Sequence, residues 1–173
     1  MAAEDRARWD RKHRARQAAL SPWLVGAAGF LPDRGTALDL ACGTGEAAVW
    51  LAERGLDVTA VDISDVALDK ARARAEAEGV HVDWVAGDLD GWEPGERAWD
   101  VVLCLRFLDR ALVPAIRRAV APGGLLVTEV LTEAVSRRFG AAPGELLRAY
   151  VDWEVLRYEV HPRTAALVVR RPG

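Results

Sequence analysis

The sequence predicts an α/β domain built on a doubly wound parallel sheet that ends in an antiparallel hairpin. Three observations carry that reading. Apolar, β-branched runs alternate with helical patterns from Thr36 to Val130. A glycine turn, Gly43-Thr44-Gly45, follows the first of these runs and opens a helix. Beyond Trp153, two strand-like runs are separated only by His161-Pro162-Arg163, too short a link for a parallel crossover.

The chain of 173 residues has the length of one domain. With 51% hydrophobic and 28% charged residues it is neither disordered nor membrane-like. No apolar run approaches the ~20 residues of a membrane helix. Glu4, Asp5 and Asp10 interrupt the basic N-terminal stretch, against a secretory or organellar leader. Cys42 and Cys104, the only cysteines, suggest neither a disulfide framework nor a structural zinc site, and no metal is expected. A cytoplasmic location follows as the expectation. The net charge of −3 speaks against a nucleic-acid partner.

Residues 4–19, rich in Ala, Arg and Glu, predict a helix, with Trp9, His13, Arg16 and Leu20 as a narrow stripe on one face. A short helix is expected over 23–30. The strand at 36–40 leads into a helix at about 45–54, ended by Gly55. Strand two is Asp57–Asp62. Ser64 caps the next helix, with Ala67, Leu68, Ala71 and Ala75 on its buried face and Gly79 at its end. Val80–Ala86 predicts strand three and Trp99–Leu105 strand four. Between Ala86 and Trp99 no helix is expected and Asp90–Gly95 reads as loop; a connection of about 12 residues is long enough to lie extended across the mouth of the site. Leu108, Leu112, Ile116 and Ala119 mark a helix, and Pro122-Gly123-Gly124 turns it into strand five, Leu125–Val130. Pro143–Tyr150 predicts a last helix before the hairpin of Trp153–Val160 and Thr164–Arg170.

Gly43-Thr44-Gly45-Glu46-Ala47-Ala48 satisfies the dinucleotide pattern G-x-G-x-x-A, with Asp62 lying 17 residues after Gly45. Other features point elsewhere. Asp39 lies near the end of strand one in Asp-x-Ala-x-Gly-x-Gly, Asp62 closes strand two, and Asp88 follows strand three in Gly87-Asp88-Leu89. With the Pro-Gly-Gly turn and the terminal hairpin, this ensemble resembles the class I S-adenosylmethionine-dependent methyltransferases over nearly the whole chain. In detail it is similar to the small tellurite-resistance-like and thiopurine-like members. The resemblance implies a three-layer Rossmann-like fold with a seven-stranded, mostly parallel sheet, in a single domain. Residues 1–31 would form an N-terminal helical lid segment and 32–173 the core.

The resemblance also implies roles. S-adenosylmethionine, leaving as S-adenosylhomocysteine, would be held by Trp9, Asp39, Ala41, Cys42, Gly43, Thr44, Gly45, Asp62, Ile63, Asp88, Leu89 and Cys104. Asp62 would take both ribose hydroxyls, as a carboxylate fork can. Asp88 would take the adenine amino group, and Asp39 with the Ala41–Gly45 backbone would hold the methionine end. On the acceptor side strand four ends in Cys104-Leu105-Arg106-Phe107, without the Asn/Asp-Pro-Pro-Tyr run of nucleic-acid amino-methyltransferases. His13 and Arg106 are the catalytic candidates. For Asp109 a helix cap, and for Glu129 a solvent-facing strand end, are the plainer expectations.

The expected function is methyl transfer to a small molecule by in-line displacement, with no nucleic-acid or membrane partner, in a monomer or weak homodimer. A non-catalytic S-adenosylmethionine-binding or regulatory module and an NAD-dependent oxidoreductase are the alternatives.

Overall fold

The computed structural model describes residues 2–15, 18–95 and 98–173. Its sheet has seven strands: β1 (Gly35–Leu40), β2 (Leu56–Asp62), β3 (Asp83–Ala86), β4 (Trp99–Leu105), β5 (Val120–Leu131), β6 (Glu154–Val160) and β7 (Thr164–Arg170). They lie in the order β3-β2-β1-β4-β5-β7-β6. The first five are parallel, and β7 slots antiparallel between β5 and β6. The direction of winding reverses between β1 and β4, which opens a crevice at the carboxyl ends of those strands.

The helices are α1 (Ala2–Ala15), α2 (Pro22–Gly26), α3 (Glu46–Glu53), α4 (Asp65–Glu78), α5 (Val113–Ala119) and α6 (Glu145–Ala149). One core layer joins α2, α3 and α4 to the sheet through Trp23, Leu24, Leu51, Leu68, Val101, Leu103 and Val127. The other joins α5 and α6 through Leu40, Val61, Val102, Ile116, Leu126 and Leu146. Successive residues of a strand alternate between these two layers.

Several elements depart from the sequence expectation. β5 starts at Val120 rather than Leu125, so Pro122-Gly123-Gly124 lies inside the strand, at the register shift between its pairings with Trp99 and Val101. α1 ends at Ala15, residues 18–20 are not helical, and Arg16 of the predicted stripe lies outside the described residues. β3 starts at Asp83 rather than Val80, because the Val80 amide is spent on the carbonyl of Ala75 at the end of α4 (3.0 Å). The helix expected from Leu108 opens as a single 3-10 turn at Arg110–Leu112 and becomes α5 only at Val113. Asp109 accounts for that start: its Oδ1 accepts the Ala111 amide (2.9 Å), the capping role expected of it. The long β3–β4 link has no described helix, as expected. It packs Leu89 and Trp92 against the layer of Leu38, Leu40 and Val61, taking the place of a helix on that face instead of only spanning the mouth.

The segment 1–31 divides physically. No described side chain of α1 is buried, whereas Ser21, Trp23, Leu24, Ala27 and Leu31 are.

Candidate functional site

The chain leaves β1 through a sharp turn. Ala41 and Gly43 have φ of +56°, and Gly45 has +79°. Only glycine fits at Gly45: a Cβ there would stand 2.7 Å from both Ala71 Cβ and the Trp84 ring. The turn is pinned to the neighbouring strand, the Cys42 amide donating to the Val61 carbonyl (3.0 Å). Arg106, just past β4, also has a left-handed backbone, at φ +60°. Ala41 and Arg106 are the non-glycine residues so strained among those described, and they follow the two strands that flank the crevice.

Asp62 ends β2 nearly buried. Its Oδ2 accepts the Gly43 amide (2.8 Å) and its Oδ1 the Ser64 amide (2.9 Å). A carboxylate has about four lone-pair positions, so both oxygens keep capacity for a ligand's hydroxyls. The Gly87 amide donates to the Asp62 carbonyl (3.0 Å), which brings the Gly87-Asp88 corner beside it. Asp88 is spent locally, its Oδ1 accepting the Asp90 amide (3.0 Å). Ile63 is half-buried between Asp62 and Ser64.

Asp39 lies beneath the turn, 2% exposed, and its Oδ2 has no hydrogen-bond partner. Burial first, then the Asp62 and Glu46 carboxylates, push its carboxyl up to about 8, against a bond from the Ala48 amide. Such a group calls for a cation. Thr44 is buried, and Glu46 takes both its hydroxyl (2.5 Å) and the Arg74 guanidinium (2.7 Å). Cys42 is a buried thiol held well above the ordinary range by desolvation.

α1 lies over this turn. The His13 ring carbon Cε1 is 3.4 Å from where a Cβ on Gly43 would be. Trp9 stacks on His13 with ring centroids 5.9 Å apart, and the Lys12 ammonium sits 4.0 Å from the centroid of Trp9. Burial lowers the His13 pKa, opposed by the Asp62 carboxylate. Polar bonds hold the helix down: Arg6 to Asp65 (2.8 Å), the Ser64 hydroxyl to Asp10 (2.6 Å) and Lys70 to the His13 carbonyl (2.5 Å).

The ends of β4 and β5 carry the remaining candidates. Arg106 is exposed, and its guanidinium donates to the Ala19 carbonyl (3.1 Å). Glu129 is half-buried and accepts the Ser21 hydroxyl (2.6 Å), so it does not simply face solvent as expected. The Cys104 side chain lies in the opposite layer from Asp39, its thiol pushed up to about 12 by burial. There it lines a small apolar cavity of about 30 Å³ with Phe107, Leu108, Leu126 and Tyr150.

Asp39, the Ala41–Gly45 turn, Asp62, Trp9 and His13 therefore converge, with Asp88 and Leu89 on the adjoining loop. Sequence reasoning took Ser64 only as a helix cap, a role it fills toward the Ala67 amide (3.1 Å), and did not see its link to Asp10. The contact spans 54 residues, and no local pattern announces it.

A methyltransferase-domain family model matches residues 37–124. Among curated proteins, the chain is 34% identical over 104 residues to a ubiquinone biosynthesis O-methyltransferase of Idiomarina loihiensis, covering 57% of this chain and 43% of that protein. It is 33% identical over 139 residues to glycine N-methyltransferase of Rattus norvegicus, covering 67% and 46%. The chain thus spans less than half the length of these relatives. In fold it is similar to TehB from Haemophilus influenzae, with a TM-score of 0.76 at 21% identity over 90% of this chain and 63% of that one. It is also similar to DhpI, solved with S-adenosylhomocysteine, with a TM-score of 0.69 at 23% identity over 99% and 95%. Strands β2, β3 and β4, most of β1, the glycine turn and the Pro-Gly-Gly corner fall within the matched stretch, about half of the chain, and the chain belongs to the methyltransferase-domain family.

Proposed function

We propose that this chain transfers a methyl group from S-adenosylmethionine to a small-molecule acceptor by in-line displacement. The observation that carries the reading is Asp39, a buried acid with an unpartnered oxygen beneath the glycine turn. A pyrophosphate brought to that turn would meet acids at Asp39, Asp62 and Glu46, which disfavours a dinucleotide. The ammonium of a methionine moiety meets what Asp39 lacks. Bound there, S-adenosylmethionine supplies an already activated methyl on a sulfonium.

The chain's own residues bind, orient and exclude water. Asp39 and the backbone of Ala41, Cys42, Gly43, Thr44 and Gly45 hold the amino-acid end. Asp62 takes the ribose hydroxyls, and Ile63, Asp88 and Leu89 flank the adenine; Cys104, expected among these residues, faces the opposite layer and is not part of the site. α1 acts as a lid, with Trp9 as apolar cover and His13, its neutral form favoured by burial, facing the acceptor. Arg106 anchors the strap that follows the lid through the Ala19 carbonyl. Holding the two reactants in line is worth roughly 7–11 kcal/mol in well-oriented systems.

The O-methyltransferase and glycine N-methyltransferase relatives support a small-molecule acceptor, and the net charge of −3 supports the absence of a nucleic-acid partner. No described helix is long and apolar enough to cross a membrane. Two buried free thiols support a reducing, cytoplasmic setting, and we place the chain there as a monomer or weak homodimer. The test is calorimetry followed by turnover. S-adenosylhomocysteine binds and NAD does not, and a panel of thiols, phenols, amines, carboxylates and chalcogen oxyanions yields S-adenosylhomocysteine from S-adenosylmethionine with at least one class. Tight NAD binding, or no binding of S-adenosylhomocysteine, overturns the reading.

A further inference from the structure

We propose that Asp10 is a positioning residue for the cofactor site: through Ser64 it docks the lid and leaves the Asp62 carboxylate free for its ligand. The inference rests on the S-adenosylmethionine reading of that site. Four contacts close a ring. Asp10 Oδ1 accepts the Ser64 hydroxyl (2.6 Å); the Ser64 amide donates to Asp62 Oδ1 (2.9 Å); Asp62 Oδ2 accepts the Gly43 amide (2.8 Å); and Gly43 lies under His13, one turn along α1 from Asp10.

Ser64 is fully buried, and its hydroxyl accepts from the Ala67 amide (3.1 Å) while donating to Asp10. A buried hydroxyl proton needs an acceptor. With Asp10 gone, the nearest acid on this ring is Asp62, whose lone pairs the ribose hydroxyls require. Asp10 also accepts the Val66 amide at 3.4 Å, adding a second hold on the first turn of α4. The other anchors, Lys70 to the His13 carbonyl and Arg6 to Asp65, are solvent-exposed. An exposed ion pair such as Arg6–Asp65 contributes little. No described side chain of α1 is buried to hold it by packing.

The experiment measures the dissociation rate of S-adenosylhomocysteine from the full chain by stopped-flow fluorescence, for wild type, Asp10→Ala, Asp10→Asn and the exposed-site control Arg11→Ala. Asp10→Ala is expected to speed release about tenfold, the loss of a bond to a charged acceptor. Asp10→Asn keeps an acceptor for Ser64 and restores most of the retention, which a purely electrostatic role would not produce. Arg11→Ala matches wild type. In the ligand-free protein, hydrogen exchange at the amides of 62–66 and 5–13 rises in Asp10→Ala, with global unfolding unchanged. Wild-type release and exchange in Asp10→Ala, or an Asp10→Asn protein as defective as Asp10→Ala, overturns the proposal. If wild type binds no S-adenosylhomocysteine, the cofactor reading fails, and the exchange data still decide whether Asp10 orders this ring.

Discussion

The amide of Gly43 donates to Asp62 Oδ2 at 2.8 Å, so the turn leaving β1 and the acid closing β2 form one unit across two strands. The bond does two things. It gives an inward-facing amide of a strained turn a strong acceptor, and it fixes the plane of a carboxylate that must meet a ligand at a set angle. The same carboxylate reaches Ser64 on its other oxygen and so ties the turn to the start of α4.

Asp62→Ala should weaken S-adenosylhomocysteine binding by about 2–4 kcal/mol, since it removes two hydroxyl–carboxylate bonds and frees the Gly43 turn. Calorimetry reads this directly. Wild-type affinity in the variant takes Asp62 out of the site.

Asp39 gives a pH signature. In the free protein its carboxyl titrates near 8, raised by burial and by neighbouring acids. The unfolded chain loses that proton near pH 4. Between those values the folded state binds more protons, so stability falls as pH rises through the window and levels off above about 8. Asp39→Asn should therefore raise the Tm most at pH 8 and least near pH 4, by about 2–4 °C per kcal/mol for a chain of this size. An ammonium beside Asp39 lowers its pKa, so binding S-adenosylhomocysteine at pH 7 should release a proton and tighten from pH 6 to 8. Calorimetry in two buffers of different ionisation enthalpy measures the release. Zero release in wild type, or an Asp39→Asn protein that binds equally well, removes Asp39 as the cation's partner.

Much of this frame was readable from residues alone because the signals are local. An apolar run between Gly35 and Gly43 located β1, β-branched and apolar runs located β2 and β4, and Gly43 and Gly45 marked the turn before any neighbour was known. Asp39 and Asp62 stood out as acids at the ends of buried strands. What stayed hidden was set by distant chain. β3 lost its first residues to the Val80–Ala75 bond, and Glu129 found Ser21 across 108 residues. The Asp10–Ser64 contact depends on where α1 docks, which no periodicity in a helix with no described buried side chain can specify.

Gly45→Ala tests the packing of the turn. The substitution asks an L-residue to hold φ +79° and drives a methyl to 2.7 Å from Ala71 Cβ and the Trp84 ring. Left-handed strain and overpacking each cost about 1–3 kcal/mol. Chemical denaturation should show a loss in that range or above it, with S-adenosylhomocysteine binding impaired as well. Gly91→Ala, also at positive φ (+69°) but with no atom within 4 Å of its Cβ, carries only the backbone cost. Equal losses in both variants would mean that the contact with α4 and β3 does not constrain the turn.

Deleting residues 1–20 separates lid from scaffold. α1 has no described buried side chain, and its Arg6–Asp65 ion pair with α4 is exposed, worth at most about 1 kcal/mol. The truncated chain keeps Ser21 on Glu129 and the Trp23, Leu24, Ala27 and Leu31 core, so it should fold with a modest drop in Tm. Deleting residues 1–31 instead removes that core. At roughly 1.5–3 kcal/mol for each of the two leucines, with the tryptophan lost besides, the cost rivals the whole stability of a domain, and this chain should not fold. The shorter deletion uncovers Gly43 and removes Trp9, Asp10 and His13 together. S-adenosylhomocysteine binding should weaken at least about tenfold and any turnover should be abolished. A deletion of 1–20 that keeps wild-type affinity and rate shows the helix to be idle; one that unfolds shows it to be scaffold, and in either case His13 leaves the site.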